Sequence, residues 1–299
     1  MATTILLYAR TGAGKTAQLG VLAEDVFKRT GKKTRIYYTD RGGYDVIQPY
    51  VDLGIVELVL LGSSDIWIFV DKASQGYIRG TDGKWLLDAE ANKKIGCYGF
   101  ESAHGMAKLI QQDMEAQAGR GVVIGGDANT TFEINGDGEK LKIGSTKGFQ
   151  KYAIPQSTVN NAMMRSQKLD AEFIVWTAGV SKDEDDVNST KIIGPQIIGQ
   201  ALTGIAPGDF NYTFRMDFQP SRDGKPPKHM MYLGPNTDIN AGNATALGNI
   251  RRPLDAPPLI STVVEPANIV QALKIVREDA AKAATEAIKK RLGTALTKV

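Results

Sequence analysis

The sequence predicts an α/β fold with a mainly parallel central sheet flanked by helices. Two observations carry that expectation. Apolar runs of strand length, Thr3–Tyr8, Thr34–Thr39 and Val56–Leu61, alternate with segments of helical period, Thr16–Lys28 and Tyr44–Leu53. Such a strand–helix alternation is the pattern of parallel strands joined by crossover helices that cover both faces of the sheet. The first strand also runs straight into a Gly-rich turn that opens the first helix.

Each element has its own signal. In Thr16–Lys28, Leu19, Leu22, Ala23, Val26 and Phe27 recur at helical spacing, and Gly31 closes the helix. The pattern turns irregular over 62–94, punctuated by Gly76, Gly80 and Gly83, which reads as a β-rich insertion with strands at Trp67–Val70 and Trp85–Leu87. A strand at Ile95–Phe100 and a helix at Ala103–Gln117 follow. The Gly-, Asn- and Thr-rich stretch 119–148, with an Asn-Gly turn at Asn135–Gly136, reads as a mobile loop or hairpin.

Ser157–Leu169 is expected as a helix, Glu172–Ala178 as a core strand, and Lys182–Asn188 as a solvated acidic loop. Phe210–Phe218 alternates like a strand, Pro220–Pro227 reads as a hairpin tip with Met230–Leu233 returning from it, and Asn236–Pro258 as loop. Pro266–Leu296 is an amphipathic helix with Ile269, Leu273, Val276, Ala280 and Ala284 on one face. The expected organisation is one domain over 1–260 and a C-terminal helix in 261–299.

Composition narrows the function classes. The 299 residues are 42% hydrophobic, enough to bury a full core. The formal charge of +3 permits a nucleic-acid partner without arguing for one. One cysteine, Cys97, excludes an intrachain disulfide, and only His104 and His229 are available as imidazole ligands. No signal-peptide pattern and no apolar run of membrane length is present, so a soluble intracellular protein is expected, with no membrane partner.

The chemistry begins at Ala9-Arg10-Thr11-Gly12-Ala13-Gly14-Lys15-Thr16, a phosphate-binding loop in which Ala9 replaces the usual first Gly. Gly12 and Gly14 let the backbone N–H groups converge on phosphates, and the following helix adds its positive dipole end. Lys15 supplies charge to the β- and γ-phosphates, and Thr16 supplies a hydroxyl to Mg²⁺. The expected ligands are therefore ATP and Mg²⁺. Ala9 is tolerable there only with a negative φ.

Further motifs carry a resemblance. Thr34–Thr39 continuing through Asp40 to Ile55, the acid-Ser pair Glu101-Ser102 after an apolar strand, and Phe173–Ala178 resemble the corresponding strands of RecA-like ATPases. The segment Ile193–Thr203 resembles a phrase of the phage-encoded members, and the likeness spans most of Thr3–Phe218. It implies a RecA-like P-loop ATPase of the AAA/RecA superfamily. Asp40 falls at the position of the catalytic acid that orients water, one methylene shorter than the family's Glu. Glu101 takes the metal-side acid's place, where the family has Asp; Asp65 and Asp71 are rivals by residue type alone. Thr177 stands where the family carries a polar γ-phosphate sensor, with Gln156 a second candidate.

The same resemblance implies work in phage DNA replication, recombination or single-strand annealing, in the cytoplasm of an infected bacterium. It also implies single-stranded DNA as partner and a homo-oligomer with its active site at a subunit interface. Lys140, Lys142 and Lys147 are candidate DNA contacts, although Asp127, Glu133, Asp137 and Glu139 balance their charge. Lys282, Lys289, Lys290 and Arg291 offer a second basic face, and Arg251 or Arg252 could act in trans. Two other readings stay open: a nucleotide-binding structural or regulatory module with little hydrolysis, and a P-loop kinase acting on a small molecule.

Overall fold

A computed structural model describes residues 2–39, 41–118, 131–133, 140–142, 150–185, 190–197, 201–219, 227–238, 244–250 and 262–296. The first half of the chain runs β1 (Thr3–Ala9), α1 (Lys15–Thr30), β2 (Lys33–Tyr38), α2 (Tyr44–Asp52), β3 (Val56–Leu60), α3 (Ile66–Lys72), β4 (Ile78–Arg79), β5 (Trp85–Leu86), α4 (Ala89–Lys93), β6 (Ile95–Glu101) and α5 (Ala103–Ala118). A short hairpin of β7 (Thr131–Glu133) and β8 (Lys140–Lys142) precedes α6 (Gln150–Ser166), β9 (Phe173–Asp185), β10 (Thr190–Gln196), α7 (Ala201–Asp209), β11 (Tyr212–Gln219) and β12 (Lys228–Tyr232). The remainder is β13 (Asn236–Asp238), β14 (Ala244–Ala246), β15 (Asn249–Ile250), β16 (Val263–Val264) and α8 (Ile269–Leu296).

Six strands in the order β3-β2-β6-β9-β1-β11 pair in parallel and form the centre of the sheet. Antiparallel β12 and β16 extend it beyond β11. The fold class expected from the sequence is the one observed. Both faces are buried, as an all-parallel sheet requires. Along β1, Leu6 and Tyr8 join one core with α3, α5 and α6, while Ile5, Leu7 and Ala9 join the other with α1, α2 and α8.

An aromatic row locks three parallel strands together. Tyr37, Phe100 and Trp176 occupy matched positions on β2, β6 and β9. Phe100 stacks on Trp176 at 4.5 Å between centroids and on Tyr37 at 5.3 Å. The Trp176 indole N–H donates to Ser166 Oγ at 2.9 Å, so its burial leaves no polar atom unmet. This row holds the end of β6 in register with β9, which matters for the site they carry.

Several elements depart from expectation. Trp67–Val70 is helical, within α3, because Trp67, Phe69 and Val70 fill a core wall at helical spacing. α6 begins at Gln150 and carries Pro155 inside it, so Gln156 lies within the helix and not before it. β9 continues to Asp185 through part of the expected acidic loop, pairing antiparallel with β10 over Gly179–Asp185. The stretch expected as loop after Asn236 contributes β13, β14 and β15 as short additions to the sheet. Asn135–Gly136 and Pro220–Lys225 lie outside the described residues.

The insertion between β3 and β6 is anchored by a buried cation. Arg35 on β2 is fully buried; it donates to Glu57 from Nε at 3.1 Å and Nη2 at 2.9 Å, to the Gly76 carbonyl at 2.8 Å, and to Asn92 Oδ1. Losing the guanidinium would leave those acceptors facing a cavity. Arg35→Met is expected to destabilise the fold by about 2–3 kcal/mol, below the roughly 3–5 kcal/mol for breaking a fully buried pair because Glu57 is partly exposed. A lowered urea midpoint at unchanged slope would show it, and an unchanged midpoint would refute the anchoring role.

Candidate nucleotide and metal site

The phosphate loop follows β1 at the C-terminal edge of the sheet. Ala9 is still in the strand, paired with Met216 of β11, so its backbone is extended and the Ala-for-Gly replacement carries no strain. Gly12 (φ +81°) and Gly14 (φ +91°) do adopt the left-handed conformation that a side chain would resist. Gly14 is the N-cap of α1 and has no side chain, so the first-turn amides remain open to an anion. Lys15 folds back over the loop, its Nζ donating to the carbonyls of Ala9 at 3.1 Å and Arg10 at 3.3 Å. Arg10 and Thr11 are exposed at the loop's crest, and Ala13 is buried beneath it.

Glu101 ends β6 and is only 4% exposed. Thr16 Oγ1 donates to its Oε1 at 3.2 Å, and Thr177 Oγ1 donates to its Oε2 at 2.8 Å. The topology explains the meeting. β9 lies between β1 and β6, so Thr177 sits midway between the phosphate-loop strand and the strand that bears the acid. Three residues separated widely in sequence, Thr16, Glu101 and Thr177, thus form one hydrogen-bonded unit. Neither rival acid joins it: Asp65 pairs with Arg79, and Asp71 with Lys72 and Arg165.

Around this unit the backbone is fastened by residues that no motif announced. Thr39, just past β2, donates to the Glu101 carbonyl from both N (2.7 Å) and Oγ1 (2.8 Å), and accepts the Ser102 N–H at 3.0 Å. The Glu101–Ser102 peptide is cis. Ser102 caps α5, its Oγ accepting from Gly105 N at 3.0 Å. In the first turn of α5, burial and then nearby Lys108 hold His104 below its ordinary pKa, so its imidazole is neutral at pH 7.

Gly43 closes the other side: a Cβ there would lie 2.8 Å from the Tyr38 hydroxyl and 3.1 Å from Thr16 Oγ1. On the far flank, the His229 ring approaches the Ala13 carbonyl at 3.3 Å. A strand-end Thr and an isolated Gly are too common to single out, and His229 has no local sequence signal at all.

A carboxylate and a hydroxyl beside a phosphate loop are hard oxygen donors, the set that suits Mg²⁺. Among the described residues no group of three His, Cys, Asp or Glu side chains converges to cage a metal. Mg²⁺ would therefore rest on Thr16, Glu101, water and nucleotide oxygens, its usual mode at such sites. Asp40, Lys147, Arg251 and Arg252 lie outside the described residues, as do the side chains of Lys140 and Lys142. No described helix is long and apolar enough to cross a membrane.

No family model and no curated protein matches this chain in sequence. Among solved structures it is similar to a KaiC-like protein of the hyperthermophilic archaeon Pyrococcus horikoshii OT3, at 10% identity, 77% of each chain and a TM-score of 0.38. It is similar also to the flagellar accessory protein FlaH of Methanocaldococcus jannaschii, at 12% identity, 77% of each chain and a TM-score of 0.38. Likenesses this remote assign no function.

Two substitutions separate the parts of the site. Thr177→Val keeps shape but removes a donor from a buried carboxylate, a loss of about 1–3 kcal/mol. Thermal unfolding should show it, and the loss should shrink when Glu101→Gln is combined with it; strictly additive effects would sink the coupling. Gly43→Ala has an allowed φ of −116° but crowds the Thr16 hydroxyl. It should lower Mg²⁺-dependent nucleotide affinity about tenfold with the fold retained, given how sharply positioning errors of about 1 Å act. Equal affinity in titration calorimetry would show that Thr16 is not the hydroxyl that matters.

Proposed function

We propose that this chain is a RecA-like P-loop ATPase that hydrolyses ATP with Mg²⁺. The observation that carries the reading is the convergence of Thr16, Glu101 and Thr177 beside a loop with Gly12 and Gly14 in left-handed conformations. A buried carboxylate next to a phosphate loop would be repelled by the phosphates unless a cation stood between them. Bound Mg²⁺ would supply that charge, with Thr16 and Glu101 as the residues that hold it.

The chain's own groups then have distinct tasks. The loop amides and the α1 N-terminus bind the phosphates, with Ala9–Thr16 wrapped around them. Lys15 leaves the Ala9 and Arg10 carbonyls and places its charge on the β- and γ-phosphate oxygens, where negative charge builds as the terminal phosphoryl group departs. Asp40 follows Thr39 and precedes Gly43, both of which border the site. It orients the attacking water, whose oxygen bonds to the γ-phosphorus as the β–γ bridging bond breaks. The products are ADP and inorganic phosphate, and the water's proton passes to Asp40 or to phosphate oxygen.

Thr177 stands where the resemblance implies a γ-phosphate sensor. Its hydroxyl is held by Glu101, and reading the γ-phosphate would require it to change partner. That engagement is the specific support for a second reading, a nucleotide-binding module with little turnover. The DNA-directed role in phage replication, recombination or annealing, with single-stranded DNA meeting the 119–148 region and subunits sharing the site, rests on the sequence resemblance.

Mg²⁺-dependent ATP hydrolysis with and without single-stranded DNA tests these together. Lys15→Ala and Glu101→Gln should each lower turnover about 100-fold or more, the usual cost of removing one preorganised electrostatic partner. Asp40→Asn should abolish turnover while leaving nucleotide affinity within about threefold, because it acts on water and not on binding. Binding without turnover in the wild type would establish the second reading. DNA-independent turnover would remove the DNA role, and absence of nucleotide binding would remove both readings.

A further inference from the structure

The phosphate loop belongs to a closed ring of hydrogen bonds that reaches the root of the C-terminal helix. His229 Nδ1 lies 3.3 Å from the Ala13 carbonyl, which can only accept, so this nitrogen carries the proton and donates. The His229 carbonyl accepts from Ala267 N at 2.8 Å. The Ala267 carbonyl accepts from Gln18 Nε2 at 3.0 Å, and Gln18 Oε1 accepts from Ile269 N at 2.7 Å. Gln18 N donates to the Gly14 carbonyl at 3.1 Å, which returns the ring to the loop. Gln18 is 7% exposed, and Ile269 is fully buried.

The peptide between Ala13 and Gly14 is trans. In a planar trans peptide the carbonyl and the next N–H point in opposite directions. A donor that holds the Ala13 carbonyl outward therefore turns the Gly14 N–H inward, toward the phosphate position. Glycine at 14 leaves this peptide free to rotate, so the orientation must be imposed from outside the loop. His229 is the side chain placed to impose it, and its ring is itself supported against Phe218 at 6.1 Å between centroids.

We propose that His229 is a positioning residue for the phosphate loop, and that Gln18 relays the loop's state to Ala267–Ile269, where α8 begins. This rests on the nucleotide reading above. When phosphate accepts the Gly14 N–H, that peptide is fixed, the His229 bond is strengthened, and the Ala267 and Ile269 amides are held more firmly. By reciprocity, an anchored α8 root favours nucleotide.

Hydrogen exchange of the full chain, with and without Mg²⁺ and a non-hydrolysable ATP analogue, tests it together with analogue affinity. In the wild type the analogue should slow exchange at Gly14 and also at Ala267 and Ile269. His229→Phe keeps the ring and removes the donor; it should weaken analogue binding about five- to tenfold, the scale of one hydrogen bond. His229→Asn restores a donor near the Nδ1 position and should recover most of that loss. Gln18→Leu removes the acceptor of the Ile269 N–H, so the analogue should no longer slow exchange at Ile269. Ala267, whose N–H is held by the His229 carbonyl, should still be slowed; slowing at Ile269 that persists in this variant overturns the Gln18 relay.

If the analogue protects the loop but leaves Ala267 and Ile269 unchanged, the relay is overturned while the nucleotide reading stands. Asn behaving like Phe at 229, or Phe binding as tightly as wild type, overturns the positioning role. No protection at Gly14 overturns the nucleotide reading, and the proposal with it.

Discussion

A carboxylate at 4% exposure is the constraint around which the rest of the site is arranged. Glu101 ends β6, and its charge is taken from water by the packing of α5, β9 and β2 against that strand end. Such a group must be hydrogen-bonded or neutralised. Here two hydroxyls meet it, one from the helix of the phosphate loop and one from the intervening strand. Because each hydroxyl belongs to a different element, the carboxylate is also what ties β6, β9 and α1 together at the open edge of the sheet. Its own main chain is tied by Thr39 to β2, so four elements meet on one residue.

The sheet order makes that arrangement possible. With β9 between β1 and β6, the acid stands two strand spacings from β1, or about 10 Å. The side chain must cover part of that distance to reach the helix that β1 feeds. Glu is one methylene longer than the Asp the resemblance would place there, and it does reach Thr16. The stacked row of Tyr37, Phe100 and Trp176, one residue before β2 and β6 end, keeps those strands and β9 from slipping relative to each other. A register shift of one residue would point Glu101 into the opposite face.

Legibility in the sequence followed the range of the physics. β1, α1, β2, α2, β3, β6 and α5 are written in local periodicity and cap residues, and their observed limits fall within a residue or two of the expected ones. The phosphate loop was readable because its chemistry needs adjacent residues. The pairing of Thr16 with Glu101 became readable only through resemblance, since 85 positions separate them. Trp67–Val70 shows the opposite limit: a short aromatic and β-branched run satisfies strand and helix patterns alike, and the core wall it faces decides. Thr39, Gly43, Gln18 and His229 had no signal because their importance lies in what the fold brings beside them.

The parts hardest to read share one mode of attachment. The insertion, the segment before β15 and the approach to α8 lack the apolar period that identifies an element. Each is held by a buried polar side chain of the core that satisfies its backbone. Arg35 and Tyr37 donate to the Gly76 and Tyr77 carbonyls, Tyr8 to that of Leu247, and Gln18 to that of Ala267. Irregular backbone brought against a core must have its N–H and C=O groups met, and side chains rooted in regular strands or helices can meet them at fixed points. Such bonds are directional, so they set the position of an addition more sharply than apolar contact of equal area would. All four of these side chains spring from β1, β2 or α1: β1 and α1 flank the phosphate loop, and β2 leads to Thr39, which fastens the main chain of Glu101. The additions are therefore indexed to the site, and a shift in one of those elements is passed to the periphery through a bond rather than through loose packing.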